Sequence, residues 1–188
     1  MPKKIADPEL TASDEEYFQA HEVEPGTRNF DVSLLREPVT VLHQRVPLLF
    51  ASKDSASRAM HAMQSEHRGC ALVTENGLAD SRLLGIFTER DVLRRVIDGG
   101  RNPATLTLGE IMTPEPESLN EEASVAWALN KMEVGGFRHV PIVDEHGRPK
   151  LVVSVRDIVT FLVSSFPEEV LNLPPEYGTS RYRERDGA

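Results

Sequence analysis

One short segment occurs twice in the chain, and this repetition is the strongest constraint on its fold. The segment from Gly85 to Asp91 returns from Leu151 to Asp157, and each copy places apolar residues before a hydroxyl residue and an Arg-Asp pair after it. The hydroxyl residue and the aspartate both recur at an offset of 66 positions. A constant offset of this kind predicts an internal repeat.

The repetition extends upstream of this segment. Residues 59–63 match 128–132 at an offset of 69, and residues 68–73 match 138–143 at an offset of 70. The offset returns to 66 because the turn before the last strand is four residues longer in the first copy, and insertions of this kind occur in surface loops. The chain is therefore predicted to contain two copies of one small unit of strands and helices.

The two copies divide the chain into five parts. A polar and acidic run with one predicted helix, at 13–20, precedes the copies, and a charged run that contains prolines follows them. The predicted parts are an N-terminal arm with this helix at 1–37, a first repeat at 38–100, a linker at 101–107, a second repeat at 108–166 and a C-terminal tail at 167–188.

The composition limits the kinds of partner. A chain of 188 residues with 39% hydrophobic and 27% charged residues is long and apolar enough for a substantial core. Its net charge of −9 disfavours nucleic acids and anionic membranes, because these polyanions bind basic surfaces. The N-terminal residues lack the apolar core of a signal peptide, and no apolar run is long enough to span a bilayer. We expect a cytoplasmic protein that binds neither nucleic acid nor membrane.

The residue types do not predict catalysis or a bound metal. Cys70 is the only cysteine, which favours a reducing compartment, and we expect it to be a small buried hydrophobic residue. The six histidines share no ligand-like spacing, and no nucleophile elbow, P-loop or HExxH motif occurs. The chain is therefore not expected to be an enzyme, and no cofactor is required.

Apolar spacing predicts which helix faces are buried. A helix is predicted at 89–98, and four of its residues are expected to share one buried face: Val92, Leu93, Val96 and Ile97. On the first helix of the second repeat, Trp127 and Met132 have the spacing of core residues. Both are expected to pack inside the protein.

The repeated segment supports two interpretations. The simpler one is a capping box, in which the hydroxyl and the carboxylate of Thr88 and Asp91, or of Ser154 and Asp157, satisfy free backbone groups at the start of a helix. The other is a nucleotide site, because helix N-termini favour phosphate, a guanidinium binds phosphate oxygens and a carboxylate accepts hydrogen bonds from vicinal ribose hydroxyls. The same box placed twice, each time after an apolar strand and with an arginine beside the aspartate, favours the nucleotide site.

The chain resembles the CBS-domain pair, also called the Bateman module. The resemblance extends from Pro38 to Val163 and rests on the two boxes, on the segment Ile111-Met112-Thr113-Pro114 and on residues 138–144. It implies an α+β fold in which tandem β-α-β-β-α repeats pack through their sheets about a pseudo-twofold axis. It also implies two clefts that bind AMP, ADP, ATP or S-adenosylmethionine, and a homodimer formed through the repeats.

The resemblance assigns residues to each cleft. The first cleft is expected to use Gln44, Val46, Gly69, Ala71, Thr88, Arg90 and Asp91. The second is expected to use Thr113, Pro114, Arg138, His139, Pro141, Ser154, Arg156 and Asp157. By the same resemblance, Ser154 and Arg156 would address phosphate and Asp157 the ribose. Each copy departs from the family pattern at some positions, so the resemblance does not fix how many clefts bind a ligand.

These features together predict a regulatory or sensor module that binds an adenine nucleotide and signals by a conformational change. Two alternatives remain open at this point. One is an interaction or scaffold protein with degenerate clefts, in which the arm and the tail bind the partner. The other is the detached regulatory subunit of an enzyme. Each of the three allows an unidentified protein partner.

Overall fold

The structure is a computed structural model of the chain and describes residues 31–165. Two short 3-10 turns come first, at Val32–Arg36 and Val39–Val41. The next elements are β1 (Leu49–Ala51), α1 (Ala56–Ser65), β2 (Cys70–Thr74), β3 (Leu83–Thr88) and helix α2, which has an α turn at Glu89–Asp91 and a π-helix at Val92–Ile97. Then follow α3 (Leu108–Ile111), β4 (Thr113–Pro114), α4 (Val125–Gly135), β5 (His139–Val143), β6 (Pro149–Ser154) and α5 (Val155–Ser165).

The strands form two sheets. The first has the order β1-β2-β3-β4, in which β1 is parallel to β2 and the other pairs are antiparallel. The second is the antiparallel hairpin β5-β6. A parallel bridge joins Leu119 to Ile142 in this hairpin, and Leu119 follows Phe50 of β1 by 69 positions. The second repeat therefore keeps the pairing of β1 as a single bridge.

The first long helix of each repeat begins in the same way. The hydroxyl of Ser55 accepts the Arg58 N–H at 3.3 Å before α1, and the hydroxyl of Ser124 accepts the Trp127 N–H at 3.2 Å before α4. A serine in this position satisfies a backbone donor that the helix leaves free. Each helix then buries one apolar face, with Ala56, Ala59 and Met63 in α1 and Val125, Ala128 and Met132 in α4.

The core of the first repeat includes residues that follow the linker. Leu106, Leu108 and Ile111 are buried against Phe50 and Phe87. Leu108 and Ile111 are fully buried, although the sequence pattern places them at the start of the second repeat. The segment that leads into the second repeat is therefore part of the first repeat's core.

The converse holds for the core of the second repeat. Val39 and Leu42, which precede β1, are buried in the same cluster as Val125. The backbone supports this packing, because the Val39 N–H donates to the Ala123 carbonyl at 2.8 Å and the Val125 N–H donates to the Glu37 carbonyl at 2.9 Å. Each repeat is thus preceded by a short segment that completes the core of the other repeat. We call these the lead-in segments; the first contains Val39 and Leu42, and the second contains Leu108 and Ile111.

A glycine allows the lead-in segment of the second repeat to pair closely with the first sheet. β4 pairs with β3 through Pro114 opposite Gly85 and Thr113 opposite Ile86. A Cβ atom on Gly85 would collide with the Met112 sulfur and would lie 2.9 Å from the Thr113 carbonyl oxygen. Only glycine permits this close approach of the two backbones.

The two sheets meet through an apolar cluster. Cys70, Leu72 and Ile86 of the first sheet are buried together, and Val152 of the second sheet packs against them. The prediction that Cys70 is a small buried hydrophobic residue is confirmed, since its exposed fraction is 8%. This contact joins the repeats face to face.

The prediction for the helix after β3 is wrong in part. Val96 is buried, but Leu93 and Ile97 are 58% and 60% exposed. The physical reason is the π-helical winding, in which the Asp98 N–H donates to the Leu93 carbonyl, five residues earlier, at 3.0 Å. A π-helix has more residues per turn than an α-helix, so residues at α-helical spacing do not stay on one face.

The prediction that Trp127 packs in the core is also wrong. Its exposed fraction is 51%, whereas Met132 on the same helix is buried as predicted. The Lys131 ammonium lies 5.6 Å from the centre of the Trp127 ring. Apolar residues cover more of this helix than the face that the core buries, so their spacing does not identify the buried ones.

The predicted arm helix at 13–20 and the predicted tail at 167–188 lie outside the described residues. None of the helices between residues 31 and 165 has the length and apolar character that crossing a membrane requires.

Replacing Leu108 by alanine tests the exchange of core segments. Because Leu108 is fully buried, we expect the free energy of unfolding to fall by about 2–5 kcal/mol in chemical denaturation. The matched control is Leu78→Ala, since Leu78 is 58% exposed, and it should change stability by no more than about 0.5 kcal/mol. Equal effects of the two substitutions would contradict the observed core.

Candidate functional site

A cleft of about 1120 Å³ lies between the two repeats. Its walls come from α1, β2 and α2 on one side and from β5, β6 and the start of α5 on the other. Its volume suffices for a ligand of cofactor size. The residues of the predicted site that line it are Gly69, Arg138, His139, Ser154, Arg156 and Asp157.

The second capping box stands at the edge of this cleft. The Ser154 hydroxyl and backbone N–H donate to Oδ2 of Asp157 at 2.6 and 2.9 Å, and the Asp157 N–H donates to the Ser154 hydroxyl at 3.2 Å. These bonds are reciprocal, as in a capping box. They fix the carboxylate at the start of α5 and use one of its two oxygens.

The other carboxylate oxygen of Asp157 is available to a ligand. Among residues 31–165 no donor hydrogen-bonds to Oδ1, and the Nε atom of Arg45 is 4.0 Å away. Asp157 is nevertheless 94% buried, since its exposed fraction is 6%. Oδ1 itself is accessible from the cleft, since no side-chain oxygen or nitrogen among residues 31–165 is both buried and without a hydrogen-bond partner. An accessible carboxylate oxygen without a donor, on an otherwise buried side chain, is a strong acceptor for a hydroxyl group.

Four guanidinium groups surround the same cleft, from Arg45, Arg68, Arg138 and Arg156. The carboxylates in the lining belong to Glu89 and Asp157. Counted over residues 31–165, with the histidines as neutral, the cleft therefore has an excess of two positive charges in a chain whose net charge is −9. In the part of the chain that the structure describes, the guanidinium groups of Arg138 and Arg156 make no hydrogen bond or ion pair, so their donors remain free.

His139 forms the wall between the repeats. A Cβ atom on Gly69 would lie 2.9 Å from the imidazole Cε1 atom, so the ring packs directly on the glycine backbone. Burial lowers the pKa of His139 below 6.5, Arg138 lowers it further, and Glu89 and Asp157 oppose the shift. The imidazole is therefore neutral at pH 7 and offers a flat apolar face.

The thiol of Cys70 lies at the same cleft. Burial raises the pKa of Cys70 to about 12, an effect that Arg68 opposes and that Asp157 and Glu89 increase. The thiol is therefore protonated at neutral pH and is a poor nucleophile.

The first capping box has the same internal bonds but different neighbours. The Thr88 hydroxyl and N–H donate to Oδ2 of Asp91 at 2.7 and 2.9 Å. Oδ1 of Asp91 is 3.4 Å from the Nε atom of Arg95 and accepts the Thr113 hydroxyl at 3.4 Å. Both oxygens of this carboxylate thus have partners within the protein.

The predicted grouping of residues into clefts is wrong for the lead-in segments. The sequence assigns Thr113 and Pro114 to the cleft of Asp157, but Thr113 donates to Asp91 and Pro114 pairs with Gly85. In place of these residues, Arg45 from the other lead-in segment approaches Asp157. The exchange of core segments explains the difference, because it brings each lead-in segment to the box of the other repeat.

Five other predicted residues do not line the cleft. One of them, Arg90, lines a separate, smaller space. Ala71 and Pro141 are buried within their sheets. Val46 is 81% exposed, and the Gln44 amide donates to the Thr40 carbonyl at 2.9 Å.

The sequence reasoning missed several residues of the cleft, among them Arg45, Arg68, His61 and His67. A signal for Arg68 exists, because it matches Arg138 at the offset of 70 that aligns the two strands. Between residues 31 and 165, no three His, Cys, Asp or Glu side chains come together in a way that could hold a metal ion.

Comparison with known proteins identifies the family. The family model for the CBS domain matches residues 36–98 and 108–164, which together make up more than half of the chain. The chain belongs to the CBS-domain family. A curated relative, the mitochondrial CBS domain-containing protein CBSX3 of Arabidopsis thaliana, is 32% identical over 122 residues, which are 64% of this chain and 58% of the relative.

The match covers only part of other relatives. CBSCBSPB5 of Arabidopsis thaliana is 29% identical over 120 residues, and the matched region is 21% of its length. The chain thus spans about a fifth of some curated CBS proteins that it matches.

Solved structures confirm the predicted fold of tandem CBS repeats. The CBS domain protein PAE2072 from Pyrobaculum aerophilum, complexed with AMP, has a TM-score of 0.59 at 22% identity and covers 68% of this chain and 98% of its own. The CBS domain pair of protein MJ0100, in complex with 5′-methylthioadenosine and S-adenosyl-L-methionine, has a TM-score of 0.57 at 22% identity and covers 66% and 98%. At this identity the likeness shows the fold of the CBS module.

The lowered pKa of His139 predicts a pH dependence of stability in this CBS module. The folded state binds the His139 proton less readily than the unfolded state does. The contribution of this group to the free energy of unfolding therefore keeps its full value above pH 6.5 and decreases as the pH falls below 6.5. We expect His139→Asn to lose less free energy of unfolding than the wild type between about pH 7.5 and about pH 5.5. Chemical denaturation at both pH values measures the difference. An identical loss in the two proteins would contradict the expected burial effect, and His43→Asn, at an exposed position, is the control.

Proposed function

We propose that this CBS module is a non-catalytic regulatory sensor that binds an adenine nucleotide with phosphate groups in the cleft beside Asp157. The observation that carries the proposal is the combination of an accessible carboxylate oxygen without a hydrogen-bond donor, on the mostly buried side chain of Asp157, and two free guanidinium groups in one cleft. A nucleotide has groups of both kinds that match, since its ribose presents vicinal hydroxyls and its phosphates are anionic.

The ribose is assigned to Asp157. Oδ2 is held by Ser154, which leaves Oδ1 to accept from a ribose hydroxyl. The adenine is assigned to the wall formed by His139 and Gly69, where the neutral imidazole presents a flat face. The start of α5 adds partial positive charge near the ligand.

The phosphates are assigned to the arginines of the cleft. Arg138 and Arg156 have free donors, and guanidinium groups bind phosphate oxygens in pairs. The positive excess disfavours S-adenosylmethionine, because its sulfonium group is a cation. We therefore expect affinity to decrease in the order ATP, ADP, AMP and S-adenosylmethionine.

Related structures support an adenine ligand. PAE2072 is complexed with AMP, and MJ0100 is in complex with 5′-methylthioadenosine and S-adenosyl-L-methionine. The ligands of these two proteins share the adenine base and the ribose ring with its two hydroxyls, which are the parts we assign to His139 and Asp157.

A ligand in this cleft would bridge the repeats. The cleft is lined by α1 and α2 of one repeat and by β6 and α5 of the other, so a bound nucleotide favours one angle between them. A signal follows when that angle also changes the affinity for a partner protein, because a ligand shifts only an equilibrium whose states it binds differently. A cytoplasmic setting, in which a lone thiol stays reduced, completes the proposal.

Thermal unfolding tests the proposed ligand. At 100 times its dissociation constant, a nucleotide stabilises the folded state by about 2.7 kcal/mol, which raises the Tm by roughly 5–10 °C for a chain of this size. Asp157→Ala should weaken binding by about 1–3 kcal/mol, since it removes an acceptor in a buried site.

Separate controls test the base, the charge preference and the effect of an unrelated substitution. GTP tests the base, and S-adenosylmethionine tests the charge preference. Leu78→Ala, in an exposed loop, should bind as the wild type does. If no adenine compound raises the Tm, the sensor proposal is wrong and the interaction or scaffold protein becomes the better explanation.

We also propose that the module forms a homodimer through its helices. Leu93 of α2 and Val159 of α5 occupy matching positions 66 residues apart, and they are 58% and 51% exposed. Ile97, Trp127 and Val134 add large apolar side chains on the surfaces of α2 and α4, with exposed fractions of 60%, 51% and 80%. Large apolar side chains exposed on several helices are typical of an interface between protein chains.

Charge substitution tests the homodimer. Ile97→Glu combined with Val159→Glu should convert a dimer to a monomer in sedimentation velocity, because a desolvated carboxylate in an apolar contact is costly. Leu78→Glu introduces the same charge in an exposed loop and should leave the dimer intact. A wild-type monomer, or a dimer that survives the double substitution, would exclude this interface.

A further inference from the structure

The two boxes have the same residue types, yet the protein leaves only one of them open. We infer that the module binds one nucleotide per chain, in the Asp157 cleft, and that the guanidinium of Arg95 takes the place of a ligand beside Asp91. This inference rests on the proposed function and adds the number of sites and the residue that closes the second one.

Arg95 satisfies the groups that a nucleotide would need at the first box. Its Nε atom is 3.4 Å from Oδ1 of Asp91, whereas the same oxygen of Asp157 has the Arg45 Nε atom at the longer distance of 4.0 Å. Its other nitrogens donate to the Ile111 carbonyl at 2.8 Å, to the Met112 carbonyl and to the Thr113 hydroxyl at 3.3 Å. The guanidinium thus ties the lead-in segment to the box and occupies its acceptors.

The second repeat has no such guanidinium at the matching position. The residue 66 positions after Arg95 is Phe161, which packs against the core of the second repeat. The helices differ too, because α2 is π-wound from Val92 to Ile97, around Arg95, whereas α5 is α-helical throughout. Within residues 31–165, the ion pair of an arginine of the same helix with the boxed aspartate is therefore found in the first repeat alone.

The arginines next to the aspartates differ in the same direction. Arg156 has free donors at the open cleft, but Arg90, its counterpart 66 positions earlier, donates to the Gly136 carbonyl at 2.8 Å. The space beside Arg90 is about 360 Å³ and is lined largely by apolar residues such as Leu129, Met132 and Phe137. Neither Thr88 nor Asp91 lines it. Glu133 and Arg138 also line this space, but the Asp91 carboxylate does not, and the Arg90 guanidinium is bound to a backbone carbonyl.

Isothermal titration calorimetry with ATP tests the inference on the full chain. We expect one site per chain for the wild type. Asp157→Asn and Asp91→Asn are matched substitutions in equivalent boxes, and both keep the size of the side chain. Asp157→Asn should lower the affinity by about tenfold or more, whereas Asp91→Asn should retain one site, with affinity within about twofold of the wild type, because Arg95 already holds Asp91.

A second variant tests the role of Arg95 directly. Arg95→Ala removes the guanidinium from Oδ1 of Asp91, and we expect a second, weaker ATP site in the folded variant. A folded Arg95→Ala protein that still binds one ATP would overturn the assignment of Arg95. If the variant does not fold, the wild-type stoichiometry and the two aspartate variants decide.

The outcomes distinguish this inference from the proposed function. Two equivalent sites in the wild type, or loss of binding in Asp91→Asn, would overturn the single site and leave the sensor function standing. Absence of ATP binding in the wild type, with no change in Tm, would overturn the sensor function and this inference together.

Discussion

The burial of each lead-in segment in the core of the other repeat is the contact on which the rest of the structure depends. Leu108 and Ile111 are fully buried in the first repeat, and Val39 is fully buried in the second. Hydrophobic burial of this extent dominates the stability of small domains. Because the segments cross over, they also bring Arg45 to Asp157 and Thr113 to Asp91. The packing of the core thus decides which side chains meet at each box.

The two capping boxes have the same local structure but different partners for the second carboxylate oxygen. In both, a hydroxyl and a carboxylate cap a helix with nearly equal distances. This cap uses one carboxylate oxygen, and the neighbourhood decides the use of the other. Beside Asp91 the second oxygen has the Arg95 Nε atom at 3.4 Å, and beside Asp157 it has the Arg45 Nε atom at 4.0 Å and lies at the cleft. The capping interpretation and the nucleotide interpretation are therefore compatible, since they concern different oxygen atoms.

The sequence predicts local features well because their causes are local. The caps at Ser55 and Ser124 and the box at Asp157 each follow from residues within one helical turn. The fold class follows from the repetition and from the family resemblance. The sequence does not predict the π-helical winding that exposes Leu93, because the apolar spacing is interpreted with the period of an α-helix. The sequence also does not predict that Thr113 contacts Asp91. This contact results from the exchange of lead-in segments, which cannot be seen when the two copies are aligned.

The exchange of lead-in segments also limits how such a chain can change over generations. A deletion that removed one repeat together with its own lead-in segment would take Val39 and Leu42, or Leu108 and Ile111, out of the core that remained. The surviving repeat would then expose apolar surface that these residues cover in the intact pair. Duplication and transfer of the gene segment therefore preserve a folded product only when both repeats travel together. In this chain the heritable unit is the pair of repeats.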